Sequence, residues 1–207
     1  TLGACGGLRL RSPQVLATPD LRYRPGADPK HLLDLYTPRD ARAPVPAVLF
    51  VHGGFWRNQD RRYLQPFTGL HGNVGVALAR RGVAVAVQSY RLFPKATLDD
   101  QLADVLAAAR WLRDHAPAHR IDADCLFLAG YSAGGHLVTL LTLDRAQHRG
   151  APPVRGTISL SGVLDIPLMA RQQPADFNRE LTAPLFGADP AAMARAPTLA
   201  QRMSPKA

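Results

Sequence analysis

Two cysteines, Cys5 and Cys125, are all that the 207 residues contain. That is too few for a disulfide framework. His115 and His119 stand four apart, but Pro117 between them breaks the helix that would place both on one face, so no metal site is read. No apolar run reaches the roughly 18 residues that a membrane-spanning helix needs. Neither G-x-x-x-x-G-K-[ST] nor G-x-G-x-x-G occurs, so the usual phosphate-cradling loops are missing and no cofactor is expected. Lysine is scarce as well, with only Lys30, Lys95 and Lys206 among 25 basic residues. The formal charge of +9 therefore rests on arginines spread along the whole chain, densest in the pairs Arg61-Arg62 and Arg80-Arg81. A nucleic-acid footprint would form a stripe or a basic helix, so no nucleic-acid partner is expected.

What is present describes a globular chain. Hydrophobic residues make up 46% and charged residues 20%, and the length suits one domain with a sizeable core. Residues 1–20 carry no periodicity and are expected to be an N-terminal tail, with residues 21–207 forming the domain. Leu21 to Arg24 and Leu32 to Tyr36 read as short strands. Ala47 to Val51 and Val83 to Val87 are continuous apolar runs, the mark of central strands buried on both faces. Leu64 to Arg80 is weakly helical and ends at the stop signal Arg81-Gly82. Leu98, Leu102, Val105, Ala109 and Leu112 recur at helical spacing, and Thr97 with Asp100 resembles a capping box. Cys125 to Ala129 and Gly156 to Leu160 supply two further strands. This alternation predicts a mostly parallel sheet covered by helices on both faces.

The chemistry concentrates at Gly130-Tyr131-Ser132-Ala133-Gly134, a G-x-S-x-G between an apolar strand and a helical pattern. That context makes a sharp turn with the Ser132 hydroxyl exposed. A β-carbon at Gly130 or Gly134 would collide with the tightly folded neighbouring chain. Ser132 is then a candidate nucleophile at a helix N-terminus, where free N–H groups favour developing negative charge. Upstream, the strand at Ala47 to Val51 runs into His52-Gly53-Gly54-Phe55-Trp56. A glycine-rich loop there can turn backbone N–H groups toward a neighbouring strand end.

With Leu33-Asp34-Leu35-Tyr36, Tyr90-Arg91-Leu92 and Asp104 in the matching order, these two motifs give a chain that resembles the α/β-hydrolases of the HGGG-type esterase group. It is most similar to the branch of small carboxylesterases, feruloyl-esterase-like proteins and kynurenine formamidases. The resemblance implies an α/β-hydrolase fold and a serine hydrolase acting on a small ester or amide. It implies Ser132 as nucleophile, with N–H groups of Gly54, Phe55 and Ala133 as oxyanion donors. Gly53 and Trp56 complete the expected substrate-binding set. Phe55, Trp56 and Tyr131 are expected either to line an acyl pocket or to pack in the core. His52 and His136 are expected to be structural.

The family's acid and base follow later strands. After Ser132 this chain has only His136 and His148, neither placed to reach the hydroxyl. Asp165 and Asp189 are present, and Ser204-Pro205 resembles the lead-in to a further strand. The expectation is a truncated domain lacking the last strands and nearly inactive alone, with the triad Asp and His beyond Ala207. The alternative is a non-catalytic hydrolase-fold binding protein. Leu2-Gly3-Ala4-Cys5 resembles the end of a bacterial lipoprotein signal, so a cytoplasmic location and a lipid anchor at Cys5 both stand open.

Overall fold

A computed structural model describes residues 10–64, 69–143 and 151–187. Its centre is β3 (Val45–Val51), flanked by β4 (Ala84–Gln88) and β5 (Ile121–Tyr131), with β6 (Gly156–Leu160) beyond β5. These four strands run parallel. β1 (Val15–Arg22) and β2 (Leu32–Pro38) extend the sheet antiparallel on the far side of β4, giving the order β1-β2-β4-β3-β5-β6.

The continuous apolar runs follow from burial on both faces. Strand side chains alternate, so Ala47, Leu49 and Val51 enter one core with Ala84 and Ala86, while Val48 and Phe50 enter another with Val85 and Val87. The first core is closed by α2 (Leu98–Asp114) and α3 (Ala133–Leu143), through Leu102, Val105, Leu112, Leu137 and Leu141. The second is closed by α1 (Leu70–Ala79), through Val76 and Ala79. After β6 the chain forms α4 (Ile166–Gln172), α5 (Ala175–Phe177), a π-helical turn at Asn178–Thr182 and α6 (Ala183–Phe186). No helix among the described residues is long and apolar enough to cross a membrane.

Local signals held where the chemistry was explicit. Thr97 and Asp100 form a reciprocal capping box at the start of α2, which stops ahead of Pro117. Boundaries differ from expectation at several elements, most at β1 and α1. β1 begins at Val15, inside the stretch expected as a tail, because its backbone pairs with β2 from Val15↔Pro38 onward. Only Val15 of its eight residues is buried, so no alternating pattern marks the strand. α1 begins at Leu70 rather than Leu64: Leu64 lies in the left-handed region at φ 55°, and Gly69 at φ 60° precedes the first helical residue.

Candidate active site

β3 and β5 are adjacent and in register, with Val51 opposite Gly130. The segments leaving their C-terminal ends therefore emerge side by side. A β-carbon on Gly53 would lie 3.1 Å from the Ser132 Cβ and 3.0 Å from the Tyr131 carbonyl oxygen. The loop expected to carry oxyanion donors thus abuts the candidate nucleophile.

Ser132 sits between β5 and α3 at φ 53°, a left-handed conformation costly for a residue with a β-carbon. Its surroundings hold it there. Its amide donates to the Leu160 carbonyl at 2.9 Å, and its carbonyl accepts the His136 amide at 3.0 Å. The glycines leave no room on either side: a β-carbon on Gly130 would stand 2.3 Å from the Gly134 carbonyl oxygen. The α3 amides that follow Ser132, beginning with Ala133, lie in the first turn, where no intrahelical acceptor exists.

The facing loop is strained too. Gly54, Phe55 and Trp56 have φ of 104°, 52° and 58°. The Gly54 carbonyl accepts the amides of Arg57 and Asn58 at 3.2 and 2.9 Å, closing a tight turn. Among the described residues the amides of Gly54 and Phe55 donate no hydrogen bond within the chain. The turn is pinned from beneath. His52 is fully buried, its Nδ1 2.7 Å from the Gly53 carbonyl oxygen and its ring stacked on Tyr90 at 4.4 Å. The Tyr90 hydroxyl donates to the His52 carbonyl at 3.2 Å. The Trp56 carbonyl accepts from Gln101 Nε2 and from the Phe93 amide.

Beyond the loop, the nearly buried Asp34 on β2 receives Arg61 and Arg62, which also pair with Asp20. The fully buried Asp104 carboxylate on α2 accepts Arg91 Nε at 2.8 Å, Arg91 Nη2 at 2.9 Å and the Arg91 amide at 3.0 Å, and also pairs with Arg24. Of these motif residues Tyr90 contacts the glycine loop, whereas Asp34, Arg91 and Asp104 take part in ion-pair networks.

Among the described residues no histidine is seen paired with Ser132 as a base. Burial lowers the His52 imidazole from 6.5 to about 3 and the His136 imidazole to about 4. His136 lies one turn along α3 from Ser132, edge-on to Trp56 and Phe186, and its Nδ1 has no hydrogen-bond partner. Among the described residues no histidine hydrogen-bonds the Ser132 hydroxyl, and Asp165 caps α4 by accepting the Leu168 amide at 2.8 Å. His148, Asp189, Ser204, Pro205 and Cys5 lie outside the described residues.

Trp56 takes the core, one of the two places expected for it. It is fully buried against His136 and Phe186, a core residue rather than an open pocket wall. Phe55, in the loop that abuts Ser132, and Tyr131, which precedes Ser132 in the chain, are 47% and 45% exposed. Sequence reasoning missed Phe177 and Phe186, which reach the loop from α5 and α6, because residues 174–186 carry no clear periodicity.

A mostly parallel, helix-covered sheet with a strained serine turn against a glycine loop defines an α/β-hydrolase of the carboxylesterase and formamidase branch. The BD-FAE family model matches residues 33–207, and the chain belongs to that family. It is 29% identical to the kynurenine formamidase of Drosophila melanogaster over 162 residues, 77% of this chain and 50% of that protein. It is 31% identical to isoprenylcysteine alpha-carbonyl methylesterase ICME of Arabidopsis thaliana over 121 residues, 58% of this chain and 27% of that protein. An inhibited form of Esterase B from Lactobacillus rhamnosis superposes with a TM-score of 0.70 at 31% identity, covering 88% of this chain and 60% of that one. The chain thus spans between about a quarter and a half of these two curated relatives.

Proposed function

We propose that this chain carries the nucleophile and oxyanion site of a serine hydrolase that cleaves a carboxylic ester or an arylformamide. The observation that supports the reading most is the contact of Gly53 with Ser132, which sets two strained segments edge to edge. In this reading the Ser132 oxygen attacks the substrate carbonyl carbon while its proton passes to a general base. In this reading the tetrahedral oxyanion is met by the amides of Gly54, Phe55 and Ala133, donors carried on backbone that packing holds fixed as charge develops. Collapse expels the alcohol or amine, and water then releases the acyl group from Ser132. The base and its orienting acid come from outside the described residues. The names of the formamidase and methylesterase relatives support both substrate types in this reading.

A second reading, a non-catalytic binding protein on the same fold, is favoured by one observation: no described histidine meets the Ser132 hydroxyl. Turnover of p-nitrophenyl butyrate and of an arylformamide by the protein as expressed from its gene, with Ser132→Ala alongside, separates the two. Turnover that Ser132→Ala abolishes supports the hydrolase. No turnover, or turnover that survives the substitution, rejects it.

A further inference from the structure

Gln101 is a polar side chain with no exposed surface, on the helix that carries the core residues Leu102 and Val105. An aliphatic residue would sit there at lower cost, because a buried amide must recover the hydrogen bonds it had in water. Gln101 Nε2 recovers one by donating to the Trp56 carbonyl at 2.9 Å, 45 residues away in the chain. The Phe93 amide donates to the same carbonyl at 3.0 Å, so both of its lone pairs are used. That carbonyl ends a run of three left-handed residues, Gly54, Phe55 and Trp56. Phe55 and Trp56 carry β-carbons, so the run persists only where its surroundings hold it. The Arg57 and Asn58 amides donate to the Gly54 carbonyl, which closes the turn on itself without tying it to a helix or strand. Hydrogen bonds from outside the turn hold its two ends. Ahead of the Gly54 and Phe55 amides, the Tyr90 hydroxyl donates to the His52 carbonyl at 3.2 Å. After them stand Gln101 and Phe93. Gln101 is itself firmly placed: its amide donates to the Thr97 carbonyl at 3.1 Å, Thr97 and Asp100 form the capping box, and Asp104 is held by Arg91.

We infer that Gln101 is a positioning residue for the oxyanion site: by holding the Trp56 carbonyl it fixes the backbone that carries the Gly54 and Phe55 amides. This rests on the serine-hydrolase reading above. Gln101 touches no reacting atom and acts through the loop. When its bond to Trp56 is lost, the Phe93 amide still holds that carbonyl, so the loop is loosened rather than dismantled. Donors that drift from their setting weaken the interaction with the developing oxyanion more than the binding of the ground state, so the loss falls on kcat.

The test measures p-nitrophenyl butyrate turnover by the protein as expressed from its gene and by its Gln101→Met, Gln101→Glu and Ser132→Ala variants. Reactive serines are counted by titration with an organophosphonate, so that kcat refers to competent sites. Gln101→Met keeps the volume and removes the donor. It should lower kcat by about 10- to 100-fold, the scale of a small misplacement in an active site, with KM within about twofold. Gln101→Glu separates positioning from packing and serves where the methionine variant fails to fold. Its neutral carboxyl can donate to the Trp56 carbonyl, and its ionised form cannot. Burial and the like charges of Asp100 and Asp104 favour the neutral form, while Arg91 and Arg24 oppose it. His52 and His136 stay neutral from pH 8 to pH 5. The kcat of Gln101→Glu, taken relative to the parent at the same pH, should therefore rise toward pH 5. An unchanged kcat per titrated serine in Gln101→Met, or no recovery of Gln101→Glu at any pH, overturns the positioning role alone. Turnover that is absent in the parent or survives Ser132→Ala overturns the hydrolase reading and the positioning role with it.

Discussion

A β-carbon on Gly134 would stand 2.1 Å from the carbonyl oxygen of Val51. The first turn of α3 thus lies directly on the end of β3, and the serine turn and the glycine loop form one packed unit. Gly134→Ala has nowhere to relax, because the opposing atoms are backbone of a central strand. It is expected to destabilise the fold by about 3 kcal/mol or more, the upper end for overpacking. Urea midpoints of the two proteins check this. A variant as stable as the parent would show that α3 can shift away from β3.

Gly54→Ala strikes the other half of the unit with a different outcome. Gly54 has φ 104°, and its β-carbon would meet the Asn58 carbonyl oxygen at 2.2 Å. The lesion lies in a loop, so the sheet should survive while the Phe55 amide moves. If that amide is an oxyanion donor, kcat falls by about 10²–10³. The check is ester turnover beside a melting curve. A large loss of stability with normal turnover per folded molecule would count against the donor role.

The difference between these two glycines marks what the sequence made legible. Gly130 and Gly134 could be assigned because their spacing about Ser132 is fixed by a close approach that any such turn requires. The strands at Ala47 to Val51 and Gly156 to Leu160 were legible because their apolar runs stand between turn formers. Val15 to Arg22 was not, since an edge strand carries few buried side chains and its pairing lies in the backbone. The contacts of Phe177 and Phe186 with Phe55 and Trp56 span more than a hundred residues and leave no local pattern.

Asp104 offers a test of the ion-pair network that joins α2 to Arg91 and Arg24. Its carboxylate is fully buried and holds Arg91 by three hydrogen bonds and Arg24 by an ion pair. Asp104→Ala leaves two guanidinium groups without their shared partner and opens a hole in α2. Both arginines are partly exposed and regain some water, so about 3 kcal/mol is expected, the low end for breaking a buried pair. Asp104→Asn retains volume and should cost less. Equal stability of all three proteins in urea would show that the network is dispensable.

The buried histidines make stability depend on pH between neutrality and about 4. In the unfolded chain His52 and His136 titrate near 6.5, whereas burial lowers them to about 3 and about 4 in the folded protein. Between those values the unfolded chain binds more protons, so acidification favours unfolding. The contribution of the neutral imidazoles is complete above 6.5 and is lost as pH falls toward 4 for His136 and toward 3 for His52. Well below 6.5 each should cost about 1.4 kcal/mol per pH unit. His71 is also lowered by burial and adds in the same direction. Asp20 and Asp100 are held below the ordinary carboxylate value of 3.8 by their partners, so their protonation falls under this window. Urea midpoints at pH 7, 6 and 5 should therefore fall steadily. His136→Gln keeps a polar side chain that does not titrate and should shallow the slope by about 1.4 kcal/mol per pH unit at the acid end. A parent protein equally stable at pH 7 and pH 5 would mean that these imidazoles gain protons without unfolding, and that the packing around Trp56 and Tyr90 is looser than the ring contacts imply.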